Sequence, residues 1–217
     1  MSAPSPAGPA THYELFAGLR DAGVTYLATG AVALVLHGVP RLTGDVDLAV
    51  APDATNLARL ERLLAAWGYG EAALEAGADG VPIRRFRHPA SALAEIDAVL
   101  PSATAFEDLR VRAAGAHLVD LEIPLVGADD LLALCEARGT ETGIADAAGL
   151  RLLAALRAGG DAVGDETRSE QVRKFSRWSA AARLDWLLAA ARLAKGLSPE
   201  ARPLTRGLKR RHWYPNR

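Results

Sequence analysis

The chain has 217 residues, of which 50% are hydrophobic and 24% are charged, and its formal net charge at pH 7 is −1. This composition is typical of a soluble globular protein. The single cysteine, Cys135, excludes an internal disulfide framework, and no apolar run approaches the roughly 18 to 20 residues that a membrane span requires. We therefore expect a cytoplasmic protein with no membrane partner.

The charges are unevenly distributed along the chain. Residues 1–167 have a net charge of −11, whereas residues 168–217 carry 13 basic and 3 acidic residues and have a net charge of +10. A basic C-terminal segment attracts polyanions, of which nucleic acid is the commonest. Docking of this segment on the acidic body of the same chain explains the pattern equally well.

The first residues combine a polar lead with a helix and a strand. Residues 1–10 have neither the basic region nor the hydrophobic region of a signal peptide, and we expect a disordered lead. A helix is predicted over residues 11–23, because Thr11 can cap it and Glu14 completes a capping box three residues later. Residues 24–28, VTYLA, predict a short strand.

A buried helix and an alternating strand follow. Residues 31–38, AVALVLHG, are apolar on all sides and predict a buried helix that ends at the glycine. Residues 45–50, DVDLAV, alternate with a period of two, which places Asp45 and Asp47 on one face of a strand. Residues 51–70 have the pattern of an amphipathic helix.

The remaining pattern separates strands from helices. Strands are predicted over residues 82–88 and 94–100, and residues 117–126 indicate an edge strand or a hairpin. From residue 127 onward the pattern is helical, and its third helix is long, over residues 169–196. Because the strands come first and the helices cluster at the end, the predicted fold class is α+β.

These elements predict an organisation in three parts after the lead. A mixed core is expected over residues 11–126, a helical domain over residues 127–196 and a basic irregular tail over residues 197–217. Within the helical part, the glycine-rich residues 159–167 have the composition of a linker.

Three aspartates suggest a metal site. Asp45 and Asp47 are about 7 Å apart along one strand face, and two like charges there repel unless a cation lies between them. Mg²⁺ in proteins is commonly held by one or two carboxylates together with substrate phosphates. Asp97 lies in another predicted strand; if that strand pairs beside residues 45–50, three carboxylates converge. Such a set suits two divalent ions about 3.5 to 4 Å apart, as in phosphoryl or nucleotidyl transfer.

The turn before the apolar helix suggests a phosphate site. Thr29, Gly30 and Ala31 end a predicted strand and begin a helix, where free backbone N–H groups point at a bound anion. Gly30 lets the backbone approach a phosphate closely. A triphosphate could therefore be held by the turn and by metal on Asp45 and Asp47.

The combination of this turn and these aspartates resembles the DNA polymerase β-like nucleotidyltransferase superfamily. Gly30 and Ala31 are followed by thirteen residues, then by Asp-Val-Asp, then by a distant strand aspartate. The surrounding sequence is similar to the minimal nucleotidyltransferases of the AbiEii toxin type, and the resemblance covers roughly residues 12–150. The residues that match the family pattern of His-Gly followed by Arg-x-Thr-x-Asp-x-Asp are His37, Gly38, Arg41, Thr43, Asp45 and Asp47.

The resemblance implies a fold and a reaction. The fold is a short mixed sheet flanked by helices and followed by a helical bundle. The reaction moves a nucleoside monophosphate from an NTP to a hydroxyl or similar acceptor and releases pyrophosphate. Asp45, Asp47 and Asp97 would hold Mg²⁺ or Mn²⁺, and Asp97 would help to deprotonate the acceptor. The residues implied in nucleotide binding are Thr29, Gly30, Ala31, Arg41 and Thr43.

Two positions depart from the family pattern. Ala31 stands where relatives have serine or glycine, so that only backbone N–H groups remain to bind phosphate. Cys135 stands where relatives carry a lysine, and of the acidic pair that follows only Asp146 is present. Arg138, one helical turn after Cys135, could replace the lysine in contacts with phosphate or acceptor.

Three functions remain open on these residues. The first is an enzyme that modifies RNA, such as a tRNA end, and that pairs with an antitoxin protein. The second is the same chemistry on a small, antibiotic-like molecule. The third is a nucleotide-binding or partner-binding module that no longer catalyses, which Ala31 and Cys135 favour.

Two further features allow more than one interpretation. The tail ends in KRRHWYPNR, whose basic and aromatic residues could bind phosphates and stack on RNA bases, although a disordered or self-docking tail is equally compatible. The residues concerned are Lys209, Arg210, Arg211, Trp213 and Tyr214. For His37, at the end of an apolar helix, an interaction with the helix dipole is the simpler interpretation.

Overall fold

The computed structural model describes residues 8–77, 80–159 and 166–196, and within these ranges the chain forms eight helices and one seven-stranded sheet. The elements in chain order are α1 (His12–Asp21), β1 (Tyr26–Ala28), α2 (Gly30–His37), β2 (Asp45–Val50), α3 (Ala54–Ala66), β3 (Gly70–Ala76), β4 (Pro82–Arg87), β5 (Glu95–Val99), α4 (Ala103–Val111), β6 (Ala114–Leu118), β7 (Leu121–Leu125), α5 (Ala128–Ala137), α6 (Glu141–Arg157), α7 (Glu166–Ser176) and α8 (Ala180–Gly196).

The sheet is mixed, with the strand order β3-β4-β5-β2-β1-β7-β6. The pairs β2–β5 and β1–β7 are parallel, and the other four neighbouring pairs are antiparallel. This architecture confirms the predicted α+β class. The segment predicted as an edge strand or a hairpin is the hairpin of β6 and β7, with β6 at the edge.

Local capping chemistry explains where α1 begins. The Thr11 hydroxyl accepts a hydrogen bond from the Glu14 backbone N–H at 3.1 Å, as the predicted capping box requires. The Glu14 carboxylate returns to the N–H of Ala10 at 2.6 Å, one residue before the cap. The helix ends at Asp21, two residues earlier than predicted.

Helix α2 is the centre of the packing. All eight of its residues are buried, which confirms the buried helix predicted from its apolar sequence. Gly38 ends it in the left-handed conformation, at φ 113°, and donates to the carbonyls of Leu34 and Val35. Val32 and Val35 belong to the apolar cluster that contains α1, α3 and much of the sheet. Leu34 belongs to a second cluster formed with α4, α5, α6 and α7.

Two elements were missed from the sequence. The residues of β3 read as helix formers, yet they form an edge strand because the backbone pairs with β4 along its length. Helix α4 begins after Ser102, whose hydroxyl accepts from the Ala105 N–H at 3.2 Å. The start of α4 is therefore marked in the sequence by its serine cap.

The prediction of one long helix over residues 169–196 was wrong. The chain forms α7 and α8 with a break between them, and α7 begins at Glu166, inside the segment expected to be a linker. Ser179 caps the start of α8 by accepting from the Ala182 N–H at 3.2 Å. Arg183 donates to the carbonyl of Trp178 at 2.8 Å, which holds the turn between the helices.

The residues just before α1 are more ordered than the sequence predicted. The last residues of the expected disordered lead are held in place, since the carbonyl of Pro9 accepts from the Ser91 hydroxyl at 2.9 Å and that of Ala10 accepts from Arg192 at 3.2 Å. Residues 1–7, the gap at 160–165 and the predicted tail at 197–217 lie outside the described residues. Among the described residues, no helix has both the length and the apolar character that crossing a bilayer requires.

His12 provides a test of this packing. It lies on α1, is 4% exposed, and its Nδ1 has no hydrogen-bond partner in the described part of the chain. Burial lowers the pKa of His12 to about 4, so the folded protein resists protonation that the unfolded chain accepts below about pH 6.5. Stability should be unaffected above pH 6.5 and should fall as the pH decreases from 6.5 to 4.

The wild type should lose free energy of unfolding between pH 7.5 and pH 4.5. We expect this loss to be smaller in His12→Leu by about 2 to 3 kcal/mol, as measured by urea unfolding at the two pH values. Phe16→Leu, which alters the packing of the same helix without changing a titratable group, is the control and should leave the pH dependence as in the wild type. An unchanged pH dependence in His12→Leu would contradict this assignment.

Candidate functional site

The register of β2 and β5 brings the predicted carboxylates together. The two strands are parallel, and Asp47 pairs with Asp97 while Asp45 pairs with Glu95. The convergence of the three aspartates required these two strands to be neighbours in the sheet, and this pairing is confirmed. Glu95 was not predicted, although its position two residues before Asp97 places it on the same face of β5.

The start of α2 lies directly against Asp47. Gly30 has φ +58°, and a Cβ atom built on it would lie 2.0 Å from Oδ2 of Asp47, so only glycine is accommodated. The Ala31 N–H donates to the Asp47 side chain, and the Thr29 N–H donates to the Asp47 carbonyl at 3.0 Å. One N–H group of the turn predicted to face an anion, that of Ala31, therefore faces a carboxylate of the protein itself, while that of Thr29 bonds to a backbone carbonyl.

Hydrogen bonds fix the loop that leads into β2. The Thr43 hydroxyl donates to Oδ1 of Asp45, and Arg41 Nε donates to Oδ1 of Asp146 on α6 at 2.8 Å. Arg41 also donates to the carbonyl of Leu42. This loop thus orients one carboxylate of the strand and joins the sheet to the C-terminal helices.

A polar cavity of about 460 Å³ lies where this loop, β2 and the C-terminal helices meet. Seven residues that were singled out from the sequence contribute to its wall: Ala31, Arg41, Thr43, Asp45, Asp47, Arg138 and Asp146. Carboxylates and guanidinium groups face the same space, so the cavity suits a ligand that carries phosphate together with a cation.

The charges in this cavity perturb one another. Burial and the neighbouring Asp45 raise the pKa of Asp47 to about 7, while Arg138 and the Ala31 N–H oppose the shift. Burial also raises the pKa of Asp146, against the opposing effect of Arg41 and Arg138. Carboxylates that resist ionisation in a polar cavity are typical of functional sites.

The position of Arg138 fits the role suggested for it. It is the C-cap residue of α5, lines the cavity and acts electrostatically on Asp47 and Asp146. Cys135, where the resemblance led us to expect a lysine, is 2% exposed in an apolar cluster with Leu131, and burial raises the pKa of its thiol. The guanidinium of Arg138 therefore supplies a positive charge to the cavity from the end of α5, one helical turn after Cys135.

Asp97 has a different environment from the other two aspartates. Arg85, on the neighbouring strand β4, donates to both of its carboxylate oxygens, from Nε at 3.0 Å and from Nη2 at 2.9 Å. Arg85 was not predicted as a site residue, because its role depends on the pairing of β4 with β5. In the described part of the chain, no three His, Cys, Asp or Glu side chains are arranged as a set of metal ligands. Asp45 and Asp47 line the cavity with carboxylate oxygens, which are the ligand type that Mg²⁺ prefers, whereas both oxygens of Asp97 are already bound by Arg85.

The predicted interaction of the His37 side chain with the dipole of α2 was wrong, because the ring bonds elsewhere. Burial lowers the pKa of His37, and its Nε2–H donates to the carbonyl of Val126 at 2.8 Å. Arg157 donates to the His37 carbonyl at 2.7 Å, and Arg183 donates to that of Leu36. Two arginines, and not the histidine, thus stabilise the negative end of the helix dipole.

The Asp47 environment predicts an unusual effect on stability. Its ionised form is unfavourable in the folded protein, and this cost develops as the pH rises from about 4 to about 7 and is complete above pH 7. We expect Asp47→Asn to stabilise the metal-free protein at pH 8 by about 2 kcal/mol. This is about half of the free energy that corresponds to the full pKa shift, because Asp47 is partly exposed and solvent screens its charge.

Chemical denaturation at pH 8 and pH 4 measures this effect, and the gain should largely disappear at pH 4. Asp185→Asn, at an exposed position on α8, is the control and should change stability by less than about 0.5 kcal/mol. A loss of stability in Asp47→Asn at pH 8 would contradict the proposed origin of the shift.

The residues predicted to contact RNA, Lys209, Arg210, Arg211, Trp213 and Tyr214, lie outside the described residues. No protein-family model matches the chain, and no curated protein matches it in sequence.

Proposed function

We propose that the chain is a metal-dependent nucleotidyltransferase of the DNA polymerase β-like superfamily, similar to the AbiEii toxin type. In this proposal the seven-stranded sheet and its helices form the family's nucleotidyltransferase fold, and α5 to α8 take the place of its helical bundle. The observation that carries the proposal is the contact of Gly30 with Asp47 beside a cavity that also contains Asp45, Arg41 and Arg138.

The contact supports a triphosphate site for three reasons. A helix N-terminus favours negative charge, and Gly30 allows this terminus to lie against Asp47, one of the two carboxylates proposed to hold the metal. Arg41 and Arg138 supply planar guanidinium groups that match phosphate oxygens. Asp45 and Asp47 would hold Mg²⁺ or Mn²⁺, which when bound neutralises phosphate charge and stabilises the departing pyrophosphate.

In this proposal the third carboxylate, Asp97, acts on the acceptor. We assign to Asp97 the binding of the catalytic metal and the acceptance of the acceptor's proton. Its register with Asp47 supports this assignment, since the two side chains share one face of adjacent strands. The hydrogen bonds from Arg85 must then open before Asp97 can act.

The acceptor in this proposal is RNA, such as a tRNA end. The net charge of +10 over residues 168–217 supports a polyanionic acceptor. The resemblance to the AbiEii toxin type supports a toxin role with a cognate antitoxin protein as partner. A small-molecule acceptor is the alternative within the same chemistry.

A second candidate is a nucleotide-binding or partner-binding module without catalysis. The bidentate pair of Arg85 with Asp97 and the burial of Cys135 favour it. The two candidates share the nucleotide site and differ in whether a product forms, so a single assay can separate them.

The first test measures pyrophosphate release from each of the four NTPs with Mg²⁺ or Mn²⁺, with and without total RNA. We expect release that RNA stimulates and that falls by at least about 100-fold in Asp45→Asn/Asp47→Asn, because two metal ligands are lost. Asp185→Asn is the matched control and should retain activity.

Each other outcome of this assay selects a different function. Release that RNA does not stimulate indicates a small acceptor. Absence of release, with NTP and metal bound in calorimetry, favours the binding module. Absence of both release and NTP binding contradicts the nucleotide site.

The Gly30 contact has a test of its own. We expect Gly30→Ala to weaken metal-dependent NTP binding by at least about tenfold, because the new Cβ atom would displace the Asp47 carboxylate. Gly139→Ala is the matched control, since Gly139 has nearly the same φ, +59°, but no atom within 4 Å of the added Cβ. Both variants bear the cost of a left-handed alanine, which thermal unfolding measures, but only Gly30→Ala should lose binding. Equal NTP affinity in the two variants would contradict the role of the contact.

A further inference from the structure

The strongest unassigned feature is the environment of Arg85. Besides its two hydrogen bonds to Asp97, its Nη1 lies 3.0 Å from Oε2 of Glu75 and its Nε lies 3.2 Å from Oε1 of Glu95. Three carboxylates, on the strands that flank β4 on either side, therefore surround one guanidinium. The side chain of Asp97 is 7% exposed, and that of Arg85 is 22% exposed.

The sheet register explains why these groups meet. Asp47, Asp97 and Arg85 form one row of paired positions across β2, β5 and β4. The next row contains Asp45, Glu95 and Arg87. Because paired residues of adjacent strands share a face, Arg85 and the proposed metal-binding carboxylates lie on one surface.

We propose that Arg85 is an intramolecular competitor of the divalent cation for Asp97. This inference rests on the proposed function, because it takes Asp97 as the third metal-binding carboxylate. Arg85 occupies both oxygens of that carboxylate in the metal-free protein. The guanidinium must leave before the third ligand becomes available.

The arrangement favours competition between two cations for one carboxylate. A guanidinium and a divalent cation both require the oxygens of Asp97, and their like charges repel each other at close distance. The paired position is partly buried, so solvent screens this repulsion less than on an open surface.

Arg85 has alternative ion-pair partners when it releases Asp97. Glu75 and Glu95 already lie within ion-pair distance of it, so the guanidinium keeps two carboxylate partners after releasing the third. In both arrangements the Arg85 guanidinium and the Asp97 carboxylate each have a partner of opposite charge. Arg85 thus has two alternative sets of contacts, and metal binding at Asp97 selects the second.

The test measures Mn²⁺ affinity by calorimetry and by electron paramagnetic resonance, on the full chain without nucleotide. We expect Arg85→Gln to bind Mn²⁺ about tenfold more tightly than the wild type, because one competing ion pair is removed. Arg87→Gln is the matched control: it removes the same charge from the same face of β4, but Arg87 pairs with Glu95 and not with Asp97. Its Mn²⁺ affinity should change by less than about twofold.

A double variant identifies the carboxylate through which Arg85 acts. Asp97→Asn should weaken Mn²⁺ binding less in the wild type, where Arg85 already competes for this carboxylate, than in Arg85→Gln, and Arg85→Gln/Asp97→Asn should bind Mn²⁺ no more tightly than Asp97→Asn alone. A gain that persists in Arg85→Gln/Asp97→Asn, or that Arg87→Gln reproduces, overturns the inference, because a general charge effect then suffices. Thermal unfolding checks that each variant is folded, and Arg85→Lys, which keeps the charge without the bidentate geometry, should be intermediate.

The movement of the guanidinium has a direct readout in the wild type. We expect the Nε–H resonance of Arg85 in ¹⁵N NMR to shift when Mg²⁺ is added, and that of Arg87 to remain in place. An unshifted Arg85 resonance at saturating Mg²⁺ overturns the inference.

These results separate the inference from the proposed function. Equal Mn²⁺ affinity in the wild type and Arg85→Gln, with binding lost in Asp45→Asn/Asp47→Asn, overturns the competition and leaves the nucleotide site intact. Absence of Mn²⁺ binding in every variant overturns both.

Discussion

The contact between the first residue of α2 and the Asp47 side chain is the constraint on which the site depends. It requires a glycine in the left-handed conformation, a helix that begins immediately after β1, and a strand register that directs Asp47 toward that helix. The three requirements are met together because β1 and β2 are neighbours and Thr29 remains bonded to the Asp47 carbonyl. A carboxylate is thereby held at the positive end of a helix dipole, beside a second carboxylate that repels it.

The groups around Asp47 have opposing effects on its ionised form. Asp47 is stabilised by an N–H of α2 and by Arg138, and it is destabilised by burial and by Asp45. Natural proteins tolerate such conflict mainly where function requires it, because the rest of the fold must compensate. Here the compensation comes from an apolar helix that is buried along its whole length and packs into both apolar clusters.

The parts of the site that follow from local pattern could be predicted from the sequence. The alternation of residues 45–50 placed Asp45 and Asp47 on one face, and the apolar run before them indicated a buried helix that begins near Gly30. Arg85 could not be recognised in this way. Its importance depends on the order and register of three strands, and neither is encoded in the spacing of a single segment.

The errors in the fold have two physical causes. The edge strand β3 was missed because pairing with β4 overrides the helical preference of its residues. The break between α7 and α8 has a local signal, since Ser179 caps the start of α8. Arg183 adds a contact that the sequence does not reveal, because it bonds to the carbonyl of Trp178 and to that of Leu36 on α2 at the same time.

The capping of α2 by Arg157 and Arg183 also has a consequence for biosynthesis. The helix lies near the start of the chain, but the arginine that bonds to its Leu36 carbonyl is 147 residues further on. On a ribosome, which releases the N-terminal end first, the helix that borders the cavity must wait for α8 before its last carbonyls find their partners. The C-terminal end of α2 is therefore fully capped only after α8 has been synthesised, and a nascent chain that stops before α8 lacks one of the two arginine caps.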